Sequence, residues 1–411
     1  MTSVVPDYIP GLKLDEAGRE DALRLVDRVR TLHRSKTTDQ ANSTWLEPVA
    51  NYLDPALFEA EKVLVFARVP LPLALSCELV GPNSWKAIDV AGTPVVITRD
   101  AKGQVHAMLN VCRHRGAEVC APGLGRSRTL TCPYHAWSYT MDGSLGGLSG
   151  ADTFGEFDKG SRGLVRLPAE ERLGLVFVCL TPGLEMDLDS WLGEMAEKLA
   201  HLRLEETHHF STRMMPGPNW KVAVEGYLEG YHFASLHTNT VFKTNLSNTA
   251  AWDAFGPHQR NAFALRPVAG LPEDVPSEQL DPATLAGPIV WLFPGFAIAG
   301  GWRDRIAVAF VLPGKTPEES MTEQRILTRV PVADDHAKHE AEFARDWFYD
   351  VTYGEDYTTG FGVQKGMPAL QERTQIFGRN EPGVQHLHGA LNGIMAANHR
   401  DPYALPRTAQ A

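Results

Sequence analysis

Cysteine is scarce, with five residues in a chain of 411. Two sit inside short His-containing motifs, and the other three (Cys77, Cys120 and Cys179) are scattered. That excludes a disulfide-stapled scaffold, in which dense pairing makes up for a core too small to hold the fold. No apolar run reaches the ~20 residues a helix needs to span a bilayer. No Lys/Arg cluster exists and net charge is −11, which argues against nucleic acid or an anionic membrane as partner. The start, MTSVVPDYIPGLKLDEAGRED, has no basic stretch followed by an apolar one, so a cytosolic location is expected. Internal repeats and low-complexity tracts are also missing. What remains is an ordinary globular composition, 43% hydrophobic and 22% charged, on a chain long enough for two or three domains.

Period and punctuation divide the chain into three parts: an N-terminal helical segment (1–45), an all-β module (46–182) and a larger domain of mixed strands and helices (183–411). Leu23, Leu25, Val26, Val29 and Leu32 give an apolar stripe between Glu16 and Lys36. Ala56–Val65 reads as a second helical segment, started by Asp54–Pro55. Trp85–Val90, Pro94–Thr98 and His106–Asn110 are short, rich in β-branched residues and split by turn formers, with Lys102–Gly103 as a hairpin cue. Trp137–Thr140 and Leu173–Leu180 continue the β pattern, the latter burying Cys179. Beyond a linker near Thr181–Asp189, an amphipathic helix is expected over Ser190–Leu204, then an exposed loop over Leu271–Pro288. Strands are expected over Trp291–Leu312 and Gln324–Val332, and a helix over Glu340–Tyr353. The pair His208–His209 reads as a solvated turn.

Chemistry concentrates at two places. The first is Cys112–Arg113–His114, followed after seventeen residues by Cys132–Pro133–Tyr134–His135. Each loop offers one thiolate and one imidazole. A [2Fe–2S] centre of the Rieske type takes two Cys on one iron and two His on the other, and the neutral imidazoles raise its potential to roughly −150 to +300 mV. Tetrahedral zinc also accepts two Cys and two His, but usually pairs like with like, whereas here each loop is mixed. Cys120, between the loops, reads as a small core residue.

The second is the run Asn219–Trp220–Lys221–VAVEGYLEGYHFASLH. Glu225, Glu229 and His232 are spaced i, i+4, i+7, so on a helix they share one face. His237, five residues further on, leaves that face unless the helix is irregular, as Gly226, Gly230 and Ser235 suggest. Non-haem Fe(II) oxygenases hold iron with two His and one carboxylate, leaving positions open for oxygen and substrate. Spacing alone does not choose that carboxylate among 50 acidic residues.

CRHRG and CPYHAW are close to the paired boxes of the Rieske family. The chain as a whole resembles the catalytic α-component of Rieske-type non-haem iron oxygenases, also called aromatic-ring-hydroxylating oxygenases. The family pattern E/D-x₃-D/E-x₂-H-x₄-H is matched by Glu225, Glu229, His232 and His237. A later acidic pair with a following Gln and Gly is matched by Glu355–Asp356 and Gln364–Lys365–Gly366. Gly378–Arg379–Asn380–Glu381–Pro382–Gly383–Val384 resembles the GR…EPGV box. Two departures stand out: Gly226 replaces the Asn common after Glu225, and Glu229 stands where most relatives have Asp.

The resemblance implies an α+β architecture. A small all-β Rieske domain precedes a catalytic domain whose antiparallel sheet is flanked by helices, of the helix-grip (START-like) kind. It implies a [2Fe–2S] cluster on Cys112, His114, Cys132 and His135, and mononuclear Fe(II) on His232, His237 and Asp356, with Glu355 and Asp350 close by in sequence. It implies that Glu229 bridges His135 of one subunit and His232 of its neighbour. The expected partners are O₂, a small organic substrate, and a ferredoxin and/or flavin reductase, in a homotrimer with or without a small β-subunit. The expected reaction is hydroxylation or dihydroxylation of an apolar, aromatic molecule. A second reading is oxidative demethylation of a quaternary ammonium or N-methyl compound, hinted at by Glu229, and a third is an electron carrier without oxygenase activity. Phe293, Phe296, Ile298, Trp302 and Phe310 are candidates for a pocket wall or for core. Glu225 reads equally as a supporting or helix-stabilising residue or as a catalytic one, and His386 and His388 as structural or pocket-lining.

Overall fold

The computed structural model describes residues 14–399, so the start of the first expected segment (1–45) and the end of the third (183–411) lie outside the described residues. Contacts separate the chain into two compact units. Among the described residues, the smaller comprises Lys62–Trp191 with Leu204–Glu206, and the larger takes residues 14–61, Leu192–Arg203 and 207–399. The N-terminal helix therefore folds with the larger unit instead of standing apart. Trp45–Pro48, just after it, pairs with Thr374–Phe377 near the other end of the chain.

The smaller unit is made of short antiparallel strands. A five-stranded sheet runs in the order Arg166–Leu167, Val105–Leu109, Thr93–Arg99, Ser84–Val90, Gly123–Arg126. A three-stranded sheet is formed by Thr129–Thr131, Ser138–Thr140 and Leu145–Gly147. The Asp100 carboxylate accepts from the amides of Lys102 (2.8 Å) and Gln104 (2.9 Å) and so fixes the turn between Thr93–Arg99 and Val105–Leu109. Both motif loops spring from a core that includes Val96, Met108, Leu130, Trp137 and Tyr139.

The larger unit is built on a seven-stranded antiparallel sheet. Its order is His208–Gly217, Ser320–Thr328, Arg305–Pro313, Phe296–Ala299, Ala286–Leu292, His258–Leu265, Asn245–Phe255. His208–His209 therefore open an edge strand and not a turn. The sheet's register sorts side chains by size. Phe296 opposes Phe310 and Ile298 opposes Val308, while Ala297 opposes Ala309 and Ala299 opposes Ala307. Because the side-chain period of a strand is two, the bulky pairs share one face and the alanines the other. Phe293, Phe296, Ile298 and Phe310 are fully buried core.

Three helical expectations change. Ser190–Leu204 is divided at Gly193 into Leu188–Leu192 and Met195–Ala200. The helix expected over Glu340–Tyr353 starts at Asp335, where the Asp334 carboxylate caps the Ala337 amide. At Asp350 it widens into a π-helical stretch, Asp350–Tyr357, before Thr358–Gly366 resumes normal winding. The helix that opens at Trp220, capped by the Asn219 side chain, stops at Glu225. Glu229, His232 and His237 therefore lie in turns beyond it, not on one helical face.

The helix Trp220–Glu225 is anchored in a buried polar network. Trp220 Nε1 donates to Glu61 Oε2 at 2.8 Å, and Lys221 pairs with Glu61, both side chains 1% exposed. Glu225 Oε1 accepts from Tyr52 at 2.6 Å and faces His388 Nε2 at 2.9 Å, while His388 Nδ1 faces Glu47 Oε1 at 3.3 Å. Glu225 and His388 are thus members of a structural lock joining the N-terminal segment, this helix and the C-terminal helix Pro382–His399. Burial alone would depress the His388 imidazole, but its bonds to Glu225 and Glu47 outweigh that and push it up to about 9. The folded pKa lies above the unfolded one, so the stabilisation is complete below pH ~6.5 and fades as pH rises through about 9. Chemical denaturation across that range should show wild-type stability falling with pH. His388→Gln should cost roughly 3 kcal/mol at the acidic end and flatten the slope. An unchanged slope in the variant would show that the proton sits elsewhere.

Candidate metal centres

The two motif loops fold alike although their Cys–His spacings differ. The Gly116 amide donates to Cys112 O at 2.9 Å and the Cys112 amide to Ala117 O at 2.8 Å. In the second loop, Ala136 N donates to Cys132 O at 3.0 Å and Cys132 N to Trp137 O at 2.8 Å. The fifth residue of each turn is left-handed, Gly116 at φ +81° and Ala136 at +56°. Glycine adopts that geometry freely, whereas alanine bears a cost of about 1 kcal/mol that the surrounding loop must hold down.

The Cys112 and Cys132 thiols are buried, and the His114 and His135 rings stand edge to face at 4.7 Å. Trp137 stacks flat on His114 at 5.0 Å. Both Nδ1 atoms are buried and make no hydrogen bond. Orphaned buried polar atoms are rare in native proteins, and two on motif histidines call for a partner that is not protein. Two thiols and two free imidazole nitrogens fit the donor set of a Rieske cluster. The Tyr139 hydroxyl lies 3.2 Å from Cys112 Sγ and accepts from Arg113 N at 3.0 Å. Cys120 is a buried core thiol pushed up to about 11 by desolvation.

In the larger unit His232, His237 and Asp356 converge, their ligand atoms all within 4.8 Å of one another. His232 Nε2 and His237 Nε2 are 3.1 Å apart, and Asp356 Oδ1 lies 3.6 Å and 2.9 Å from them. The far nitrogen of each imidazole is held by a carboxylate. Glu229 bonds His232 Nδ1 and also accepts from the Tyr231 amide. Glu355 Oε2 lies 2.7 Å from His237 Nδ1 and accepts from the Thr240 hydroxyl at 2.6 Å. A carboxylate on Nδ1 fixes the tautomer that presents the Nε2 lone pair and raises ligand basicity. Glu355 is therefore not a rival of Asp356 for the metal position, as the acidic pair had left open, but the holder of His237. The π-helical stretch widens the turn that lets these consecutive residues serve two atoms of one site. Burial opposes charge on His237, but Asp356 and Glu355 outweigh it and hold the imidazole above its usual range. Asp350, the other acidic neighbour, is exposed.

A cavity of about 200 Å³ opens beside this set. Its roof is the alanine face of the sheet, with Phe233, Phe263, Trp302 and Phe348 supplying aromatic walls. Among the five aromatic and aliphatic candidates from the 293–310 segment, Trp302 alone reaches it. The alternation Ala297-Ile298-Ala299 opposite Ala307-Val308-Ala309 is the signal that would have found it.

A family model described as "Ring hydroxylating alpha subunit (catalytic domain)" matches residues 204–397, and one described as "Rieske [2Fe-2S] domain" matches 70–157. The anthranilate 1,2-dioxygenase large subunit of Acinetobacter baylyi is 33% identical over 198 residues, which are 46% of this chain and 42% of that relative. The carnitine monooxygenase oxygenase subunit of Escherichia coli is 26% identical over 363 residues, 84% of this chain and 93% of that one. Among solved structures, the quaternary ammonium Rieske monooxygenase CntA in complex with L-carnitine has a TM-score of 0.71 at 22% identity, covering 95% of this chain and 99% of its own. Naphthalene 1,2-dioxygenase from Rhodococcus sp. bound to indole has a TM-score of 0.70 at 19% identity, covering 95% and 100%. These likenesses establish the fold.

If Glu355 holds His237 as the geometry indicates, Glu355→Ala should weaken divalent-metal binding at this set about 10- to 100-fold. Glu225→Gln, in the network behind, should not. Competition titration with Co(II) reads both, and equal affinities in wild type and Glu355→Ala would refute the assignment.

Proposed function

We propose, for a chain that pairs a Rieske [2Fe–2S] domain with a ring-hydroxylating α-subunit catalytic domain and so belongs to the Rieske-type non-haem iron oxygenases, that it is the terminal component oxidising an N-methyl or quaternary ammonium compound. The observation that carries the oxygenase chemistry is the His232–His237–Asp356 convergence beside a cavity. Three protein donors leave coordination positions open, which a purely structural site does not need. When bound there, Fe(II) would supply the activation of O₂.

In this reading Cys112, His114, Cys132 and His135 hold the cluster, and Tyr139 tunes it through its hydrogen bond to Cys112 Sγ. Reducing electrons come from a separate donor, a ferredoxin and/or a flavin reductase. Glu229 keeps His232 oriented and forms the conducting link to His135 of a neighbouring subunit in a homotrimer. Tyr134 and Tyr231, which flank the two ends of that link, are 58% and 63% exposed, as residues of an interface between subunits would be in a single chain. The substrate stays out of water in the cavity. Its cationic end faces Phe233, Phe263, Trp302 and Phe348, whose π faces attract an ammonium without needing a counter-ion. Insertion of one oxygen atom into a methyl C–H bond gives an N-hydroxymethyl product, which collapses to the amine and formaldehyde, while the second oxygen atom leaves as water.

Ring hydroxylation is the second reading, favoured by the match to the anthranilate dioxygenase large subunit. A substrate panel separates them. Formaldehyde release tied to O₂ and NADH consumption marks N-demethylation, and a cis-diol or phenol without formaldehyde marks the alternative.

The metal content decides the oxygenase reading itself. Anaerobically purified protein should hold about three irons and two acid-labile sulfides per chain. Two irons with two sulfides that resist iron reconstitution would leave an electron carrier, and zinc without sulfide would refute both centres. Glu229→Gln should keep both metals and abolish coupled turnover, and normal turnover in that variant would rule out the bridge.

A further inference from the structure

Four of the chain's ten tyrosines lie in one run: Tyr227, Tyr357, Tyr353 and Tyr349. Tyr227 lines the cavity. Its hydroxyl is buried without a hydrogen-bond partner and lies beside that of Tyr357, the residue next to Asp356. Tyr357 is 1% exposed and its hydroxyl meets Thr322 Oγ1 at 2.5 Å. From there the ring centroids step 6.5 Å to Tyr353 and 5.2 Å to Tyr349, the last two rings being stacked within 17° of parallel. Tyr353 and Tyr349 are half-buried, and the Arg213 guanidinium lies 4.2 Å over the Tyr349 ring. The phenols thus form a continuous line from the cavity to the protein surface.

Packing does not demand this. Phenylalanine fills the same volume, and the same helix uses it at Phe343 and Phe348. What the tyrosines add is a ring that gives up an electron and a proton readily, placed close enough to the next ring for fast exchange between chemically equal sites. Resting on the oxygenase reading, we infer that Tyr227–Tyr357–Tyr353–Tyr349 is an escape route for oxidising equivalents left in the cavity when O₂ is activated without substrate. Tyr227 gives one electron and its phenolic proton to the oxidant. Each ring is then refilled by its outer neighbour, the donor losing an O–H and the acceptor regaining one. At Tyr349 a thiol in solution supplies one electron and one proton, and two such thiols end as a disulfide. The net change is one oxidising equivalent reduced inside for each thiol oxidised outside.

The test is a hydrogen peroxide challenge of the full chain, iron-loaded and substrate-free, with iron-free protein beside it. Tyrosyl radicals are followed by electron paramagnetic resonance and oxidised tyrosines by mass spectrometry. In the wild type, iron-dependent oxidation should collect at Tyr349 and fall several-fold with added thiol. Tyr353→Phe keeps the ring and cuts the route, so oxidation should move to Tyr227 and Tyr357 and lose its sensitivity to thiol. Tyr349→Phe should strand the radical at Tyr353. Iron-dependent oxidation distributed identically in all three proteins would overturn the route while leaving the oxygenase reading intact. Oxidation that does not depend on iron would likewise overturn the route, since the oxygenase reading is decided separately by metal content.

Discussion

The site depends on one arrangement made twice: an imidazole clamped on its far nitrogen by a carboxylate. Glu229 holds His232 and Glu355 holds His237, and only then do both Nε2 atoms face Asp356 Oδ1. A free histidine has two tautomers and rotates about two side-chain torsions. Each carboxylate removes that freedom before a metal arrives, which is why loss of such a partner weakens binding without removing a ligand. The two clamps differ in what else they can do. Glu355 is also held by the Thr240 hydroxyl, whereas Glu229 is also held by the backbone amides of Tyr231 and His232, in a turn beside the exposed Tyr231.

Turns are soft places to hold such geometry, and the fold stiffens them from behind. Glu225 closes the helix that leads into the 226–237 segment, and its bonds to Tyr52 and His388 fix that helix to distant parts of the chain. The GR…EPGV box does the same for the loop carrying Glu229. Asn380 Nδ2 donates to Asn248 Oδ1 at 3.2 Å, and the Asn248 amide donates to Gly230 O at 2.8 Å. A Cβ on Gly383 would lie 2.6 Å from Leu228 O, so only glycine lets the C-terminal helix come this close. The box supports that loop from behind.

What was legible in sequence follows from how local the chemistry is. Cys112, His114, Cys132 and His135 announce themselves because two tight turns must each deliver a sulfur and a nitrogen, which fixes both spacing and residue type. His232 and His237 were legible as a pair, but the helical face drawn through Glu225, Glu229 and His232 was not what forms. Gly226 ends the helix, and the carboxylate of Glu229 caps turn amides instead of projecting from a helix face. Period alone does not reveal that, because i, i+4, i+7 is compatible with a helix whether or not the helix continues. Glu355 escaped for a different reason. Its role depends on π-helical winding, and nothing in the residue order of Asp350–Tyr357 forces the wider turn. The cavity was half legible. Large residues read as its wall in the sequence, while the register shows that the small ones make the space.

That inversion bears on how a buried reaction site is afforded at all. A cavity beside a metal centre forfeits packing on one face of the sheet, and the loss must be confined there. The same strands do both jobs by alternating size: alanines face the cavity, while Phe296, Ile298 and Phe310 close a core on the opposite face with full burial. Enlarging the pocket therefore needs no loosening of the core, and changing the core need not alter the pocket. Substrate scope can drift within such a design, because the wall residues, Phe233, Phe263, Trp302 and Phe348, come from separate segments. The donor set cannot drift in the same way. His232, His237 and Asp356 are bound to Glu229 and Glu355, and through the surrounding turns to the ends of the chain, so a change at any one of them moves the others.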